Sequence, residues 1–449
     1  MLAAMPQPPS AASRDEPVIR DRGDACPGAL RLHAADDGFL ARVRIPGGLL
    51  GGAAARLLAD AADRLGDGHV DLTSRGNVQL RGLGESCGGE LAELLAAAGL
   101  LPAPTHERVR NIVCSPLTGL DLLGLPDVSP WVAELDALLC ASEAAAGLSG
   151  RFLFALDDGR GDVTSLDADV NLVPCGEGSA LLWMGDRLGA VRVSSGDAPR
   201  AALVAAEYFL DAVREAGTRV WRVAELAPEH ALSGARLVGR LADAGVGAVV
   251  ATPDLSVRSG PPPEPGVVPG PDGTASLSVL APLGRLDTAQ WRRLADLTGR
   301  VRLTPWRGVV VPGLPGPPDR ATATAATALA GLADAGLVTA PDSPWRSVTA
   351  CTGRPGCAKS LADVRADARA VVERARGPLP VHWSGCERRC GHPRGAAWVD
   401  LVATPAGYDL HLEGRAPRRG VPRRELAPAL ADARHAAPVR DNLPDSVQK

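Results

Sequence analysis

Four cysteines in two close pairs are the residues of this chain best suited to metal chemistry. Cys351 and Cys357 have the spacing Cys-x5-Cys, and Cys386 and Cys390 have the spacing Cys-x3-Cys. If the intervening chain folds back, the four thiolates meet at one point, which suits a [4Fe-4S] cluster. Zinc and disulfides are the alternatives. Zinc sites usually pair cysteines about two to four residues apart, and nothing in the sequence indicates the oxidising compartment in which disulfides persist.

Local sequence predicts how these cysteines are presented. Cys357 opens a run with helical periodicity that stops at Gly377-Pro378. We therefore expect its sulfur near a helix N-terminus, where the helix dipole favours thiolate. The second pair lies in a turn with glycines at Gly385 and Gly391, which lets backbone amides approach the sulfurs closely. The two histidines that flank this pair, His382 and His392, either bind metal or pack.

Composition limits the classes of protein to consider. A chain of 449 residues can form two or three domains, and a net charge of -4 argues against nucleic acid as a partner. The N-terminal stretch is rich in Pro, Ala and Ser and has no sustained apolar segment. We interpret it as a disordered leader of a cytoplasmic protein, with no signal peptide and no membrane span. The chain has only two lysines, Lys359 and Lys449, so nearly all its positive charge is arginine.

An internal duplication organises the chain. Residues 38–99 read as strand, helix, strand, strand, helix, and residues 274–314 repeat that order at an offset near 230. The segment 168–185 is similar in sequence to residues 397–414. The sequence therefore predicts two copies of one half, each a βαββα unit followed by an α/β lobe, with a pseudo-twofold axis between them. The Pro/Gly-rich stretch 259–273 is predicted to be a surface linker.

One strand face of the first copy could bind an anionic ligand. By the strand period of two, Arg75, Asn77, Gln79 and Arg81 share a face. The matching residues of the second copy are Trp306, Gly308, Val310 and Pro312. Arg110 is a further candidate, because arginine forks bind carboxylates in bidentate fashion. The alternative is a solvated strand face. The arginine-rich stretch 415–424 is predicted to be a mobile solvated tail.

These motifs together resemble the nitrite and sulfite reductase superfamily over nearly the whole chain. The resemblance rests on the cysteine spacing and on the segments LTSRGNVQLRGL and VRNIVCSPLTG. It implies an α+β fold with two ferredoxin-like half-units and two α/β lobes that enclose a tetrapyrrole beside a [4Fe-4S] cluster. The four cysteines would bind the cluster, and Arg75 and Arg110 would contact tetrapyrrole carboxylates or a bound oxyanion. Cys390 matches the thiolate that bridges to sirohaem iron in reductases.

Other segments resemble the precorrin-3B synthase branch of this superfamily. They are ACPGALRLHAADDGFLARVRIPGG, RFLFALDDGRGDV and SGCERRCGHP. Gly150 and Arg151 stand where reductases carry an arginine and a lysine, and the later lysine pair of reductases has no counterpart. The branch implies an oxygen-dependent monooxygenase that hydroxylates precorrin-3A at C20 and closes a ring A γ-lactone in cobalamin synthesis. It also implies a mononuclear non-haem iron and electrons from a separate reductase or a ferredoxin. A sirohaem-dependent sulfite or nitrite reductase is the alternative.

The predicted segments follow from the duplication and the composition. They are a leader at 1–35, half-unit 1 at 36–103, lobe 1 at 104–258, a linker at 259–273, half-unit 2 at 274–340, lobe 2 with the cluster at 341–414, and a tail at 415–449.

Overall fold

The computed structural model describes residues 24, 26–176, 178–185, 189–251, 258–314, 320–393 and 398–436. Most of the predicted leader and the last part of the predicted tail lie outside these ranges. The chain divides into two compact units. Unit 1 comprises residues 1–26, 103–119 and 125–261, and unit 2 comprises residues 27–102, 120–124 and 262–449. No helix within the described ranges combines the length and hydropathy that a bilayer crossing requires.

Unit 2 contains two five-stranded antiparallel sheets with the same plan. Strands are numbered along the whole chain. The first sheet has the order β1-β2-β5-β4-β14, and the second has the order β12-β13-β16-β15-β3. The strands of the first half are β1 His33–Ala35, β2 Gly38–Val43, β3 Leu49–Gly51, β4 His69–Leu72 and β5 Val78–Leu83. Those of the second half are β12 Gly266–Pro269, β13 Ala275–Leu280, β14 Arg285–Asp287, β15 Arg300–Leu303 and β16 Gly308–Val311.

Each half contributes one edge strand to the sheet of the other half. Strand β3 of the first half pairs with β15 of the second, and β14 of the second half pairs with β4 of the first. Helices α1 Gly52–Leu65 and α6 Thr288–Thr298 occupy equivalent places, and α2 Gly88–Ala97 and α7 Ala321–Asp334 complete the two halves. The indole Nε1 of Trp291 donates to the Ala55 carbonyl at 2.7 Å. The duplication is thus confirmed, and the two halves share one core.

The second lobe, also in unit 2, is a mixed sheet in the order β17-β18-β19-β20-β21. Strands β17, β18 and β19 are parallel, and the last two pair antiparallel. The elements are β17 Val348–Ala350, α8 Val364–Val371, β18 Val381–Ser384, β19 Val399–Thr404, β20 Gly407–Leu412, β21 Arg418–Val421 and α9 Leu426–His435. Trp383 and Tyr408 pack edge to face in its core, with ring centroids 5.3 Å apart.

Unit 1 contains a six-stranded sheet in the order β11-β10-β9-β8-β7-β6. Here too three parallel strands are followed by antiparallel ones, which is the plan of the second lobe. The strands are β6 Ile112–Cys114, β7 Phe154–Leu156, β8 Val170–Pro174, β9 Ser179–Met184, β10 Val191–Ser194 and β11 Ala248–Val250. The helices are α3 Ser129–Ala141, α4 Ala198–Glu215 and α5 Gly234–Asp243.

Two predictions about irregular segments are wrong. The Pro/Gly-rich stretch 259–273 includes strand β12, because Val267 and Val268 can pair with β13 despite the flanking prolines. The stretch 415–424 includes strand β21, which pairs with β20, and Arg423 there forms an ion pair with Asp367. Beyond it, helix α9 packs on the core of the lobe, and its Arg434 is buried. The ion-pair partner of Arg423 could not be read from local sequence, because Asp367 lies 56 residues earlier in the chain.

Candidate cluster and ligand site

Both cysteine pairs follow the carboxyl ends of adjacent parallel strands. Cys351 comes directly after β17, and Cys386 comes two residues after the end of β18. Because these strands pair in parallel, their ends meet at one edge of the sheet, which is where α/β folds commonly bind ligands. The Cys351 amide donates to the Trp383 carbonyl at 2.9 Å. The Gly385 amide donates to the Cys351 sulfur at 3.2 Å, a contact that stabilises a thiolate.

The cysteine loop, defined here as residues 351–363, is a series of turns. Helix α8 begins at Val364, with Asp363 as the capping residue, so the prediction that a helix opens at Cys357 is wrong. The physical reason is Ser360, whose hydroxyl donates to the Ala362 carbonyl at 2.7 Å and favours a turn over a helix. A β-carbon at Gly385 would lie 1.9 Å from the Ser360 hydroxyl, so only glycine fits there.

The four sulfurs influence one another electrostatically. Burial raises the pKa of the Cys351 thiol, the amides of Gly385 and Gly353 oppose this, and the charges of Cys390 and Cys386 raise it further. Burial also raises the pKa of Cys390, followed by the charge of Cys386. Mutual repulsion of this kind is relieved when a cation or a cluster binds the thiolates.

The chemistry of these cysteines bears on which group they could hold. All nine cysteines of the chain are free thiols. Within the described ranges, no three or more His, Cys, Asp or Glu side chains are grouped tightly enough for a single metal ion. A zinc ion would require its sulfurs about 2.3 Å from one centre. The cysteines of a [4Fe-4S] cluster each bind a different iron, and the two cysteine pairs that follow β17 and β18 form a four-thiol donor set that fits such a cluster.

The two histidines next to the second pair have protein partners. The His382 Nδ1 lies 2.8 Å from the Thr349 hydroxyl, and burial lowers its pKa to about 3. The His392 Nε2 lies 2.7 Å from a carboxylate oxygen of Asp400. The two rings stack edge to face with centroids 5.2 Å apart. Protein partners therefore account for His392 and for the Nδ1 of His382, whereas the Nε2 of His382 is buried without a side-chain partner among the described residues.

Arg81 lies against the cysteine loop. Its Nε and Nη2 donate to the two carboxylate oxygens of Asp37 at 2.9 and 2.8 Å, and Nη2 also donates to the Gly356 carbonyl at 2.9 Å. The Arg81 side chain is only 5% exposed and that of Asp37 19%. The carboxylate of Asp36 accepts the amide of Ala358 in the same loop. Half-unit 1 thus holds the cysteine loop at two points, through Arg81 on β5 and through Asp36 in the turn between β1 and β2.

The other predicted ligand-binding residues of half-unit 1 have diverse surroundings. Val78 and Leu80 face the core, as the strand period predicts. Asn77 is buried, and its side-chain oxygen accepts the Ile45 amide at 2.9 Å. Gln79 accepts a hydrogen bond from Arg42 at 3.1 Å. Arg75 is half-buried in the turn before β5, where its amide donates to the Thr73 hydroxyl at 3.3 Å.

Arg110, the remaining predicted residue, lies in unit 1. Its Nε and Nη2 donate to the two carboxylate oxygens of Asp136 on helix α3 at 2.7 and 2.6 Å. The Arg110 side chain is 4% exposed. Arg110 therefore binds a carboxylate in bidentate fashion, as predicted, but this carboxylate is the side chain of Asp136.

Arg307, in the second half, is a charged residue that the sequence analysis passed over. It follows Trp306 in the turn before β16 and has a left-handed φ of 61°. Its Nη1 is buried and has no hydrogen-bond partner among the described residues. A large residue at a position that favours glycine was the available signal, because such positions often mark functional sites.

Comparison with known proteins agrees with this architecture. The nitrite/sulfite reductase ferredoxin-like half domain matches residues 32–98 and 268–317. A solved structure of Mycobacterium tuberculosis NirA protein superposes with a TM-score of 0.61 over 85% of this chain and 75% of that chain, at 22% identity. The chain has the nitrite/sulfite reductase-like fold. The predicted fold class, with two half-units of one plan and two lobes of another, is confirmed.

The curated relatives are oxidoreductase-type enzymes of two kinds. A precorrin-3B synthase from Sinorhizobium sp is 27% identical over 89% of this chain and 84% of the relative. A ferredoxin--nitrite reductase from Synechococcus elongatus is 29% identical over 84% of this chain and 82% of the relative. Both alignments span the two units, so the predicted resemblance to the superfamily and to its cobalamin-synthesis branch is confirmed.

Proposed function

We propose that this chain is an oxygen-dependent monooxygenase of the precorrin-3B synthase type. It hydroxylates precorrin-3A at C20 with one oxygen atom of O2, and the ring A acetate closes onto C1 as a γ-lactone. The second oxygen atom is reduced to water, which requires two electrons. The tetrapyrrole is thus a substrate that enters and leaves, whereas in a sirohaem reductase it is a resident cofactor.

The surroundings of Gly150 support this choice over a reductase. Gly150 stands where the resemblance to reductases would require an arginine. Its amide donates to Asp24 at 2.6 Å, and a β-carbon there would lie 2.9 Å from the β-carbon of Cys26. A larger side chain therefore does not fit. The next residue, Arg151, lies over the Trp221 ring at 4.7 Å.

The charge that follows strand β7 also argues against an inorganic anion. Asp157, Asp158 and Asp162 lie in the loop after this strand and are all buried. Arg160 pairs with Asp158 at 2.6 Å and lies 4.0 Å from Asp162, so one cation faces three carboxyl groups. Unit 1 contains no lysine, so the ammonium groups that would stabilise the developing charge on nitrite or sulfite are missing from it.

The cluster would be held by Cys351, Cys357, Cys386 and Cys390. When bound, it supplies electrons one at a time, and the names of the reductase relatives suggest a ferredoxin or a separate reductase as donor. The protein's own part is to bind and orient the substrate. Arginines suit this role because the substrate carries many carboxylates. We keep Arg75, Asn77, Gln79, Arg81 and Arg110 as the proposed substrate-binding residues, with Arg81 also supporting the cysteine loop.

A mononuclear iron, which the resemblance also implies, has no fitting ligand set within the described ranges. His392 and Asp400 pair with each other, and His382 is bonded to Thr349. No step of the proposed reaction is therefore assigned to such an ion.

The test compares precorrin-3A turnover with and without oxygen. The anaerobically purified protein is supplied with a reduced ferredoxin and precorrin-3A. We expect product only when O2 is admitted, and an iron-sulfur absorption without sharp tetrapyrrole bands in the resting protein. Equal product formation under strict anoxia would refute the proposal.

A sirohaem-dependent nitrite or sulfite reductase is the second candidate. It is favoured by the 29% identity to a ferredoxin--nitrite reductase. Intense sirohaem bands in the purified protein, with reduction of nitrite or sulfite by reduced ferredoxin, would establish it in place of the first.

A further inference from the structure

The turn before β16 has the same backbone as the turn before β5, but it carries an arginine where the first turn carries a glycine. In the first half, the Gly76 amide donates to the Thr73 carbonyl, and Gly76 has a φ of 64°. In the second half, the Arg307 amide donates to the Thr304 carbonyl, and Arg307 has a φ of 61°. Left-handed backbone suits glycine and is unfavourable for a residue with a β-carbon. The second half thus keeps a strained arginine where the first half has glycine.

The fold makes room for this arginine side chain. A β-carbon at Gly284 would lie 2.6 Å from the Arg307 Cδ and 3.1 Å from its Cγ, so the side chain passes directly over Gly284. A β-carbon at Gly391, the residue after Cys390, would lie 4.0 Å from the Arg307 Nη2. The guanidinium is therefore directed toward the second cysteine pair.

The charges around Arg307 are not balanced. Asp71 is the nearby carboxylate, and it is already shared between Arg285, at 3.3 Å, and Arg365, at 3.2 Å. Burial lowers the pKa of Arg307, and the charge of Arg365 lowers it further against the opposing effect of Asp71. Arginine nevertheless stays protonated in proteins. Arg285 also pairs with Asp67 at 2.7 Å, so three guanidinium groups share two carboxylates. Neither carboxylate bonds to the buried Nη1 of Arg307, which has no hydrogen-bond partner among the described residues.

An anion that binds at Arg307 would remove this imbalance. The planar guanidinium matches a carboxylate in bidentate geometry, and a buried charge is tolerated when it is paired. We propose that Arg307 binds a carboxylate of the tetrapyrrole substrate beside the cysteine loop. The proposal rests on the proposed function for the class of ligand. All the ligand-binding residues predicted from the sequence lie in the first half of the chain. Arg307 adds a substrate-binding residue in the second half.

The test uses uroporphyrin III, an octacarboxylate, as the probe with the cluster-loaded protein. Its dissociation constant is measured by fluorescence quenching under anoxia for the wild type, Arg307→Gln and Arg307→Gly. Arg293→Gln is the matched control, because Arg293 is an exposed arginine on α6 of the same half-unit. Iron and sulfide content and the thermal midpoint of the probe-free protein are measured on the same samples.

We expect both Arg307 variants to bind uroporphyrin at least tenfold more weakly, with iron content and the Arg293→Gln affinity unchanged. Arg307→Gly should also melt no lower than the wild type, because it restores the residue of the first half and removes a buried charge. A purely structural role would lower the midpoint instead.

Wild-type affinity in both variants would overturn the inference alone. Loss of iron in both variants would assign Arg307 to the cluster and also overturn it. A wild type that binds no uroporphyrin would count against the tetrapyrrole substrate itself, and so against the proposed function.

Discussion

The substitution Asp37→Asn should loosen the cysteine loop. Asp37 accepts both hydrogen bonds of the Arg81 fork, which in turn donates to Gly356 in that loop. With side-chain exposures of 5% and 19%, this is a largely buried pair. Removing one partner of such a pair costs about 3 kcal/mol, because the other charge stays buried without compensation. At about 1.4 kcal/mol per factor of ten, the loop should open about 100-fold more often.

Amide hydrogen exchange of the anaerobically purified protein measures this opening. The reporters are three amides of the loop: Arg354 donates to Ala362, Ser360 to Cys357 and Leu361 to Gly385. We expect these amides to exchange about 100-fold faster in the variant, while amides of strand β8 in unit 1 keep their rates. Release of iron to a chelator should accelerate in parallel.

The control is Asp60→Asn. Asp60 also pairs with an arginine in unit 2, Arg292, but its side chain is 69% exposed. Exposed pairs contribute about 0 to 1 kcal/mol, so exchange in the loop should not change. Unchanged exchange in Asp37→Asn, or the same acceleration in Asp60→Asn, would refute the assigned role of the buried pair.

Three further predictions concern the pH dependence, the shared core and the cluster. Burial raises the pKa of Asp162 from 3.8 to about 7, and its hydrogen bond from Ser115 opposes this only in part. Because the folded pKa lies above the unfolded one, the folded state loses stability as pH rises from about 4 to 7, by about 4 kcal/mol at most. Urea unfolding should show Asp162→Asn to be more stable than the wild type at pH 8, with the difference shrinking toward pH 5. Trp291→Ala should lower the free energy of unfolding by about 4 kcal/mol, through the lost core volume and hydrogen bond to Ala55. Cys357→Ser should lose most iron and acid-labile sulfide, measured by chemical analysis.

Each of these predictions has a contradicting result. Parallel pH profiles for the wild type and Asp162→Asn would show that this carboxyl does not titrate as described. A loss below about 1 kcal/mol for Trp291→Ala would mean that the site collapses around the missing ring. Full iron in Cys357→Ser, or equal loss in the control Cys87→Ser, would remove Cys357 from the ligand set.

The regular elements of the half-units could be predicted because their signals are local. Alternating apolar residues such as Val78 and Leu80 identified strand β5, and the repeat at an offset near 230 identified the second copy. The exchange of β3 and β14 could not be predicted, since these three-residue strands carry no periodic pattern and pair with the other half. The helical periodicity after Cys357 also did not show that α8 begins only at Val364, where the carboxylate of Asp363 caps the helix by accepting the Ala366 amide.

The site residues divide in a similar way. The cysteines could be found from their spacing. Two close pairs form one four-thiol site whenever the chain between them folds back. The partners of Arg81 and Arg110 could not, because Asp37 and Asp136 are distant in sequence and look like ordinary surface carboxylates. Arg307 escaped notice because a turn residue is usually interpreted as solvated, although the duplication places it opposite Gly76 and so marks a position that favours glycine.

The most direct test of the central claim is incorporation of labelled oxygen. Precorrin-3A is incubated with the purified protein and reduced ferredoxin under ¹⁸O2, and the mass of the product is measured by mass spectrometry. The account predicts one ¹⁸O atom in each product molecule and no product without oxygen. Product without the label, or consumption of nitrite or sulfite with precorrin-3A left unchanged, would contradict it.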